Sequence, residues 1–268
     1  MQLLKESVSR HLARCKPIWA AGQVFYRTLS GVYFVTAYHS IRIWRNRIGL
    51  RKHGAQALGM ITRYFESAGV RPILNCGTLL AYIRQGQIDR FSKDIDLAIF
   101  ADELKNPRAL VEYMTQNGYR LRMDGKMSGA LRTIGEYHLL QFHHPKKHVS
   151  IDICFLHRQS GQILFFEDRG ADYLYRDFLR EKKHQLGPYI GYCRRFDERI
   201  YGDLESADFC GSRIWVPKDP EGALRIMYGP DIRSGKKNIL SNLLIVQDDT
   251  PGGKLTYVDL SQITSKFS

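Results

Sequence analysis

Two aspartates one residue apart inside an otherwise apolar stretch restrict this chain more than any other feature. In DIDLAIF, residues 94–100, Ile95, Leu97 and Ile99 alternate with Asp94, Asp96 and Ala98, the period-two pattern of a strand whose two faces differ. Both carboxylates then leave the same face, where like charges repel and burial is costly unless something neutralises them. A third acid, Asp152, stands in VSIDICF, residues 149–155, again among apolar neighbours. Two strands that each direct acids to one site can build a three-carboxylate cup. A hard divalent cation, Mg²⁺ or Mn²⁺, is the economical neutraliser of such a cup, which would support in-line phosphoryl or nucleotidyl transfer. Taken singly, an Asp-x-Asp is a common pattern with an ordinary explanation as a solvent-facing edge strand. The acid on a second apolar strand gives it weight.

The segments around these strands predict an α+β domain. HGAQALGMITRYFESAG, residues 53–69, has apolar positions at helical spacing and a stop at Gly69. PILN (72–75) reads as a short strand, after which Gly77 and Thr78 open a helix that ends at Gly86. Glycine there permits close approach, and the free N–H groups of a helix start can hold a donor phosphate. Asp102 is placed to cap a helix through ADELKNPRALVEYMTQNG, with Pro107 as a kink and Gly118 at its end. YHLLQFHH (137–144) and HVSIDICFLH (148–157) flank Pro-Lys-Lys as a hairpin, and QILFFED follows. Residues 187–218 show no clear periodicity. PKDPEGALRIMYG (217–229) reads as a short helix and the tail as a terminal hairpin. The order gives a small mixed sheet flanked by helices.

Charge divides the chain. Residues 1–52 hold ten Lys and Arg against one acid, Glu6, and so carry +9 of the net +13. This basic, helical N-terminal arm, broken at Pro17 and Gly31, precedes a core at 53–236 and a C-terminal extension at 237–268. The arm suits an anionic surface. Between Arg27 and Arg42 lie only 14 uncharged residues, short of the roughly 20 needed to span a bilayer. Phe25, Tyr26, Tyr33, Phe34, Tyr38 and Trp44 are suited either to an interface beside the arginines or to packing on the core. No secretory signal is expected, and five cysteines without a CxxC pair read as reduced thiols of a cytoplasmic protein, peripheral at the inner membrane face. His138, His143, His144 and His148 cluster near the hairpin and read as structural, since Mg²⁺ prefers oxygen ligands.

The run Gly77-Thr78-Leu79-Leu80-Ala81-Tyr82-Ile83-Arg84, then Gly86, Asp94-Ile95-Asp96 and Ile151-Asp152-Ile153, resembles the LicD/fukutin family of the nucleotidyltransferase-fold superfamily. The segment from Val216-Pro217 to Tyr228-Gly229 is similar to that family's closing segment, so the likeness covers about residues 55–230. The resemblance implies transfer of phosphocholine or a polyol phosphate from a CDP-linked donor to a glycan or lipid-linked glycan hydroxyl. It implies Mg²⁺ on Asp94 and Asp96, with Asp152 completing the site or taking the acceptor proton. Arg84 matches the family's helix arginine and would steady donor phosphate, and Lys93 beside the acids could contact it too. Relatives carry a longer acid run where this chain has Phe91-Ser92-Lys93, and an aromatic and proline where it has Pro230-Asp231-Ile232-Arg233.

Two other readings compete. The same carboxylates could serve attack of an acceptor at the α-phosphorus of an NTP, releasing pyrophosphate and leaving a nucleotide on a sugar or small molecule. Alternatively, the chain could be a non-catalytic membrane- or nucleic-acid-binding protein acting through its arm. No nucleic-acid motif accompanies the charge, and no nucleic-acid partner is expected.

Overall fold

The computed structural model of the chain describes residues 29–90, 92–127, 129–167, 189–232, 244–248 and 255–259. Residues 1–28, with Cys15, Pro17, Phe25, Tyr26 and Arg27, lie outside the described residues, as does Phe91. The first described element is one 39-residue helix, α1 (Leu29–Ser67). The break expected at Gly31 is absent, and position 53 falls inside the helix instead of starting it. A single glycine costs a helix only about 1 kcal/mol, which the downstream packing outweighs. Leu50, Ala57, Leu58, Ile61 and Phe65 are buried at three- and four-residue spacing and anchor α1 to the core.

At Gly49 the helix meets the chain end-on. A Cβ there would stand 2.1 Å from the Lys147 carbonyl oxygen and 2.6 Å from that of His148, so only glycine lets α1 close on the hairpin turn. Gly49→Ala is expected to lower stability by about 1–3 kcal/mol, read as a fall in the denaturant midpoint. An unchanged midpoint would contradict the close approach.

After α1 come β1 (Ile73–Leu74), α2 (Cys76–Gln85), β2 (Ile95–Phe100), α3 (Pro107–Gln116), β3 (Arg120–Lys126), a 3₁₀ turn (Gly129–Thr133), β4 (Tyr137–His144), β5 (Val149–Gln159) and β6 (Gln162–Glu167). Then follow β7 (Tyr189–Asp197), α4 (Glu198–Gly202), β8 (Leu204–Phe209), β9 (Ser212–Pro217), α5 (Pro220–Tyr228), β10 (Leu244–Asp248) and β11 (Leu255–Asp259). The eleven strands among the described residues form one mixed sheet in the order β11-β10-β7-β6-β5-β2-β1-β9-β8, with β4 and β3 branching from β5. The architecture is the expected α+β fold with helices against a mixed sheet, but the sheet is larger than the small one anticipated. Strands β3, β7, β8 and β9 account for much of the difference. β3 and β8 alternate weakly because their side chains are mostly exposed, and an exposed strand needs little apolar patterning.

The long strand β5 organises the site. Its first half pairs with β4 and its second half with β6, while β2 runs parallel to it along the other edge. Ile95, Leu97, Ile99, Ile151, Ile153 and Phe155 are all buried. The C-terminal hairpin joins the same sheet through β10 on β7 and covers a second apolar cluster that includes Leu131, Leu164, Phe166 and Val246.

One predicted helix boundary moves. α3 begins at Pro107, capped by Asn106, whose side-chain oxygen accepts from the Ala109 N–H at 3.1 Å. Proline is favoured in the first helical turn and pushes its predecessor out of the helical region. Pro107 therefore starts the helix instead of kinking it. Asp102 is no cap; it forms an ion pair with Arg158 on β5. Among the described residues no helix is long and apolar enough to cross a membrane.

Candidate metal centre

The parallel register of β2 and β5 brings the acids together. Asp96 lies directly opposite Asp152, and Asp94 stands at the bend just before β2. One carboxylate oxygen from each of the three lies within 4.8 Å of the others, and all three residues are half-buried. The convergence expected from two separate stretches of sequence is therefore present, on one side of the sheet. Parallel pairing of adjacent strands decides it, because a one-residue slip would turn Asp152 to the other face.

The turn before α2 orients Asp96. Cys76 takes the chain from β1 into the helix at φ 43°, a left-handed value that costs a non-glycine residue about 1–2 kcal/mol. The Gly77 N–H then donates to Asp96 Oδ2 at 3.0 Å. Thr78 Oγ1 accepts from the Asp96 N–H at 2.8 Å, and the Asn75 N–H donates to the Asp96 carbonyl at 3.1 Å. A Cβ at Gly77 would stand 3.1 Å from Asp96 Oδ2, so the glycine permits this contact. Gly77 and Thr78, the residues expected at the donor phosphate, here orient Asp96. The Gly77 N–H donates to Asp96, the Thr78 hydroxyl oxygen accepts from it, and the Thr78 N–H goes to the Asn75 carbonyl at 3.0 Å. The pair holds a carboxylate in place.

The cup is electrostatically expensive without a cation. Burial, and then the neighbouring Asp94 and Asp152, push the Asp96 carboxyl well above its usual range. Burial and Asp94 push Asp152 up to about 7, against the Gln141 side-chain N–H that donates to its Oδ2 at 2.8 Å. Lys93, an exposed side chain 3.9 Å from Asp94 Oδ2, opposes both shifts. Nearby, Cys154 and Tyr228 are themselves driven up, chiefly by burial, with Asp96 among the secondary causes. Three oxygen donors, half-buried and mutually repelling, fit a hard divalent ion. All three are carboxylates, which is the donor set of Mg²⁺ or Mn²⁺ and not of a thiolate-bound zinc.

The remaining expected site residues lie farther out. Arg84 is exposed on the last turn of α2, seven residues and ~10 Å along the helix from Gly77, where its Nη2 donates to the Ile232 carbonyl at 2.9 Å. It borders a cleft of about 330 Å³ with Leu80, Ile83 and Ile232. Of the histidines, His144 packs edge-on against Tyr119, His138 lies against Gly125, and His143 contacts Ser150 at 3.1 Å. The described residues show no histidine as a fourth member of the cup.

Sequence reading missed Gln141, the partner of Asp152. The signal was present: counting back from the Pro-Lys-Lys turn pairs 144 with 149 and 141 with 152, which sets a polar Gln beside the buried acid. It also missed a layer beneath the cup. The Tyr201 hydroxyl donates to Asn75 Oδ1 at 3.1 Å, and fully buried Arg194 binds Glu167 at 2.6 Å and the Ile226 carbonyl at 3.1 Å. Arg194 thereby ties β7 to α5 next to Tyr228. Arg194 and Tyr201 sit in the stretch without periodicity, and only the fold brings them near residues 94–96.

Residues 69–219 match the family described as LicD/FKTN/FKRP, nucleotidyltransferase domain. No curated protein matches the chain.

Proposed function

The chain belongs to the LicD/FKTN/FKRP nucleotidyltransferase-domain family, and from that premise we propose that it moves a phosphorylated alcohol from a CDP-linked donor to a glycan hydroxyl, with Mg²⁺ as cofactor. Membership carries a phosphotransferase-type role and metal dependence, and Asp94, Asp96 and Asp152 could hold the ion. The observation that carries the reading is the register of Asp96 against Asp152, with one oxygen of each acid inside 4.8 Å of the others. When bound there, the ion would stabilise charge on the attacking and leaving oxygens of an in-line displacement.

In this reading the chain's own residues do the following. Asp94 and Asp96 present their oxygens toward the donor diphosphate, Asp96 being fixed by Gly77 and Thr78. The acceptor oxygen bonds to the phosphorus distal to the nucleoside, the bond to CMP breaks, and the acceptor proton goes to an Asp152 oxygen. With a cation in the cup, that carboxyl would be held ionised and so able to accept the proton. Lys93 at the rim contacts donor phosphate. Arg84, with the cleft beside it, serves the outer end of the donor. Trp44 and Ile41, 62% and 55% exposed beside Arg42 and Arg45, support an interfacial arm that keeps the enzyme at an anionic membrane where lipid-linked glycans are made.

Incubation with CDP-alcohols and, separately, with NTPs tests the reading through the product. CMP release that depends on a glycan acceptor is the expected result. Pyrophosphate from an NTP, with no CMP from any CDP-alcohol, would move the assignment to nucleotidyl transfer.

A further inference from the structure

A second polar constellation lies one step along the same strands from the cup. In the β4–β5 ladder Gln141 faces Asp152 and His143 faces Ser150. Alternation puts Ser150 on the side of β5 that carries Asp152, one strand repeat or ~7 Å away. Arg122 occupies the irregularity where β3 shifts register between Leu121, opposite Phe142, and Met123, opposite Gln141. Its charge acts on both Asp152 and His143, consistent with that place in the ladder beside residues 141–142.

Helix α1 closes this constellation from above. Its contact at Gly49 with the turn residues Lys147 and His148 brings the preceding two turns of the helix to the end of the hairpin. Arg45 Nη2 reaches His148 Nε2 at 2.9 Å, and Asn46 Nδ2 donates to Ser150 Oγ at 3.3 Å. Ser150 Oγ also meets His143 Nδ1 at 3.1 Å, and the His143 and His148 rings are 6.2 Å apart.

Everything acting on His143 here besides burial is basic: Arg122, His148, Arg42 and His144. Burial first, and then these neighbours, hold the imidazole neutral, down at about 4. His144 and His148 are lowered as well, so the standing charges here are those of the arginines, which repel one another until an anion enters. Two buried polar atoms also lack a hydrogen-bond partner among the described residues, Arg42 Nε, a donor, and Asn46 Oδ1, an acceptor. Leaving either unmade is costly. A phosphate oxygen satisfies the first and a sugar hydroxyl the second. Guanidinium forks match phosphate geometry better than any other side chain.

We propose that Arg42, Arg45, Arg122, His143 and Ser150 form a phosphate-binding subsite, separate from the carboxylate cup, that takes a phosphate group carried by the glycan acceptor. The acceptor assignment rests on the transferase reading above; the binding of phosphate does not. The subsite lets the enzyme select a phosphorylated glycan and set its hydroxyl against the cup one strand repeat away.

Calorimetric titration of the full chain with inorganic pyrophosphate and with a hexose 1-phosphate, in chelator so that no cation occupies the cup, tests this directly. Saturable binding is expected, weakened at least tenfold by Arg42→Gln combined with Arg122→Gln. Asp96→Asn should leave it intact. Arg122→Gln alone, at an exposed position, gives a second variant, its fold checked by its melting curve, and should weaken binding by itself. Unchanged affinity in both variants, no binding by the wild type, or binding only to phosphatidylglycerol vesicles would overturn the subsite. Phosphate binding by a chain that releases no CMP would keep the subsite and sink the transferase reading.

Discussion

Asp96→Asn is expected to lower the transfer rate by about a thousandfold, the loss that follows when ~4 kcal/mol of charge stabilisation is removed from the transition state. The substitution is nearly silent for the fold. An asparagine oxygen can still accept from the Gly77 N–H, and the backbone N–H still reaches Thr78 Oγ1. What changes is the charge at the centre of three carboxylates. In chelator the variant should therefore be at least as stable as the wild type. A variant that melts normally and transfers at the wild-type rate would remove Asp96 from the chemistry.

The pH dependence of metal-free stability carries the same signature. Asp152 titrates at about 7 in the folded chain against ~3.9 unfolded, so the folded state retains a proton that the unfolded state has released. Its contribution to stability is largest below pH ~4, declines as pH rises, and levels off above about 7. Asp152→Asn should flatten that decline, visible in melting curves taken across the window.

Removal of divalent cations is the second large effect. Chelator is expected to abolish transfer, and Mg²⁺ at a hundred times its dissociation constant should then stabilise the fold by about 2.7 kcal/mol. For a domain of this size that corresponds to a rise of roughly 5–10 °C in Tm. Asp152→Asn and Asp96→Asn should each erase most of the rise, since either leaves an incomplete ligand set. Full activity in chelator, or an equal rise in both variants, would rule out the cup as the metal centre.

Much of this site could be read along the chain because its physics is local. A charged side chain inside an apolar strand needs a partner, so Asp94, Asp96 and Asp152 announce themselves wherever the strands go. The β4–β5 hairpin was equally legible from its turn and alternation, with β4 running from Tyr137 to His144 as expected. Gly77 is legible as a point of close approach, and the neighbour that closes on it here is the Asp96 carboxylate. Which atom closes on a glycine depends on a residue 19 positions away. The exposed strands β3 and β8 were missed because solvent imposes no pattern on them.

Residue order alone dictates that there are acid-bearing buried strands, a basic leading segment and an α+β alternation, since burial cost, charge and periodicity act over a few neighbours. Only the folded chain decides that β2 runs parallel to β5 in the register that sets 96 beside 152, or that α1 comes to rest on the β4–β5 hairpin at His148 and Ser150. Those outcomes follow from pairing and packing between segments tens of residues apart, and no local preference encodes them.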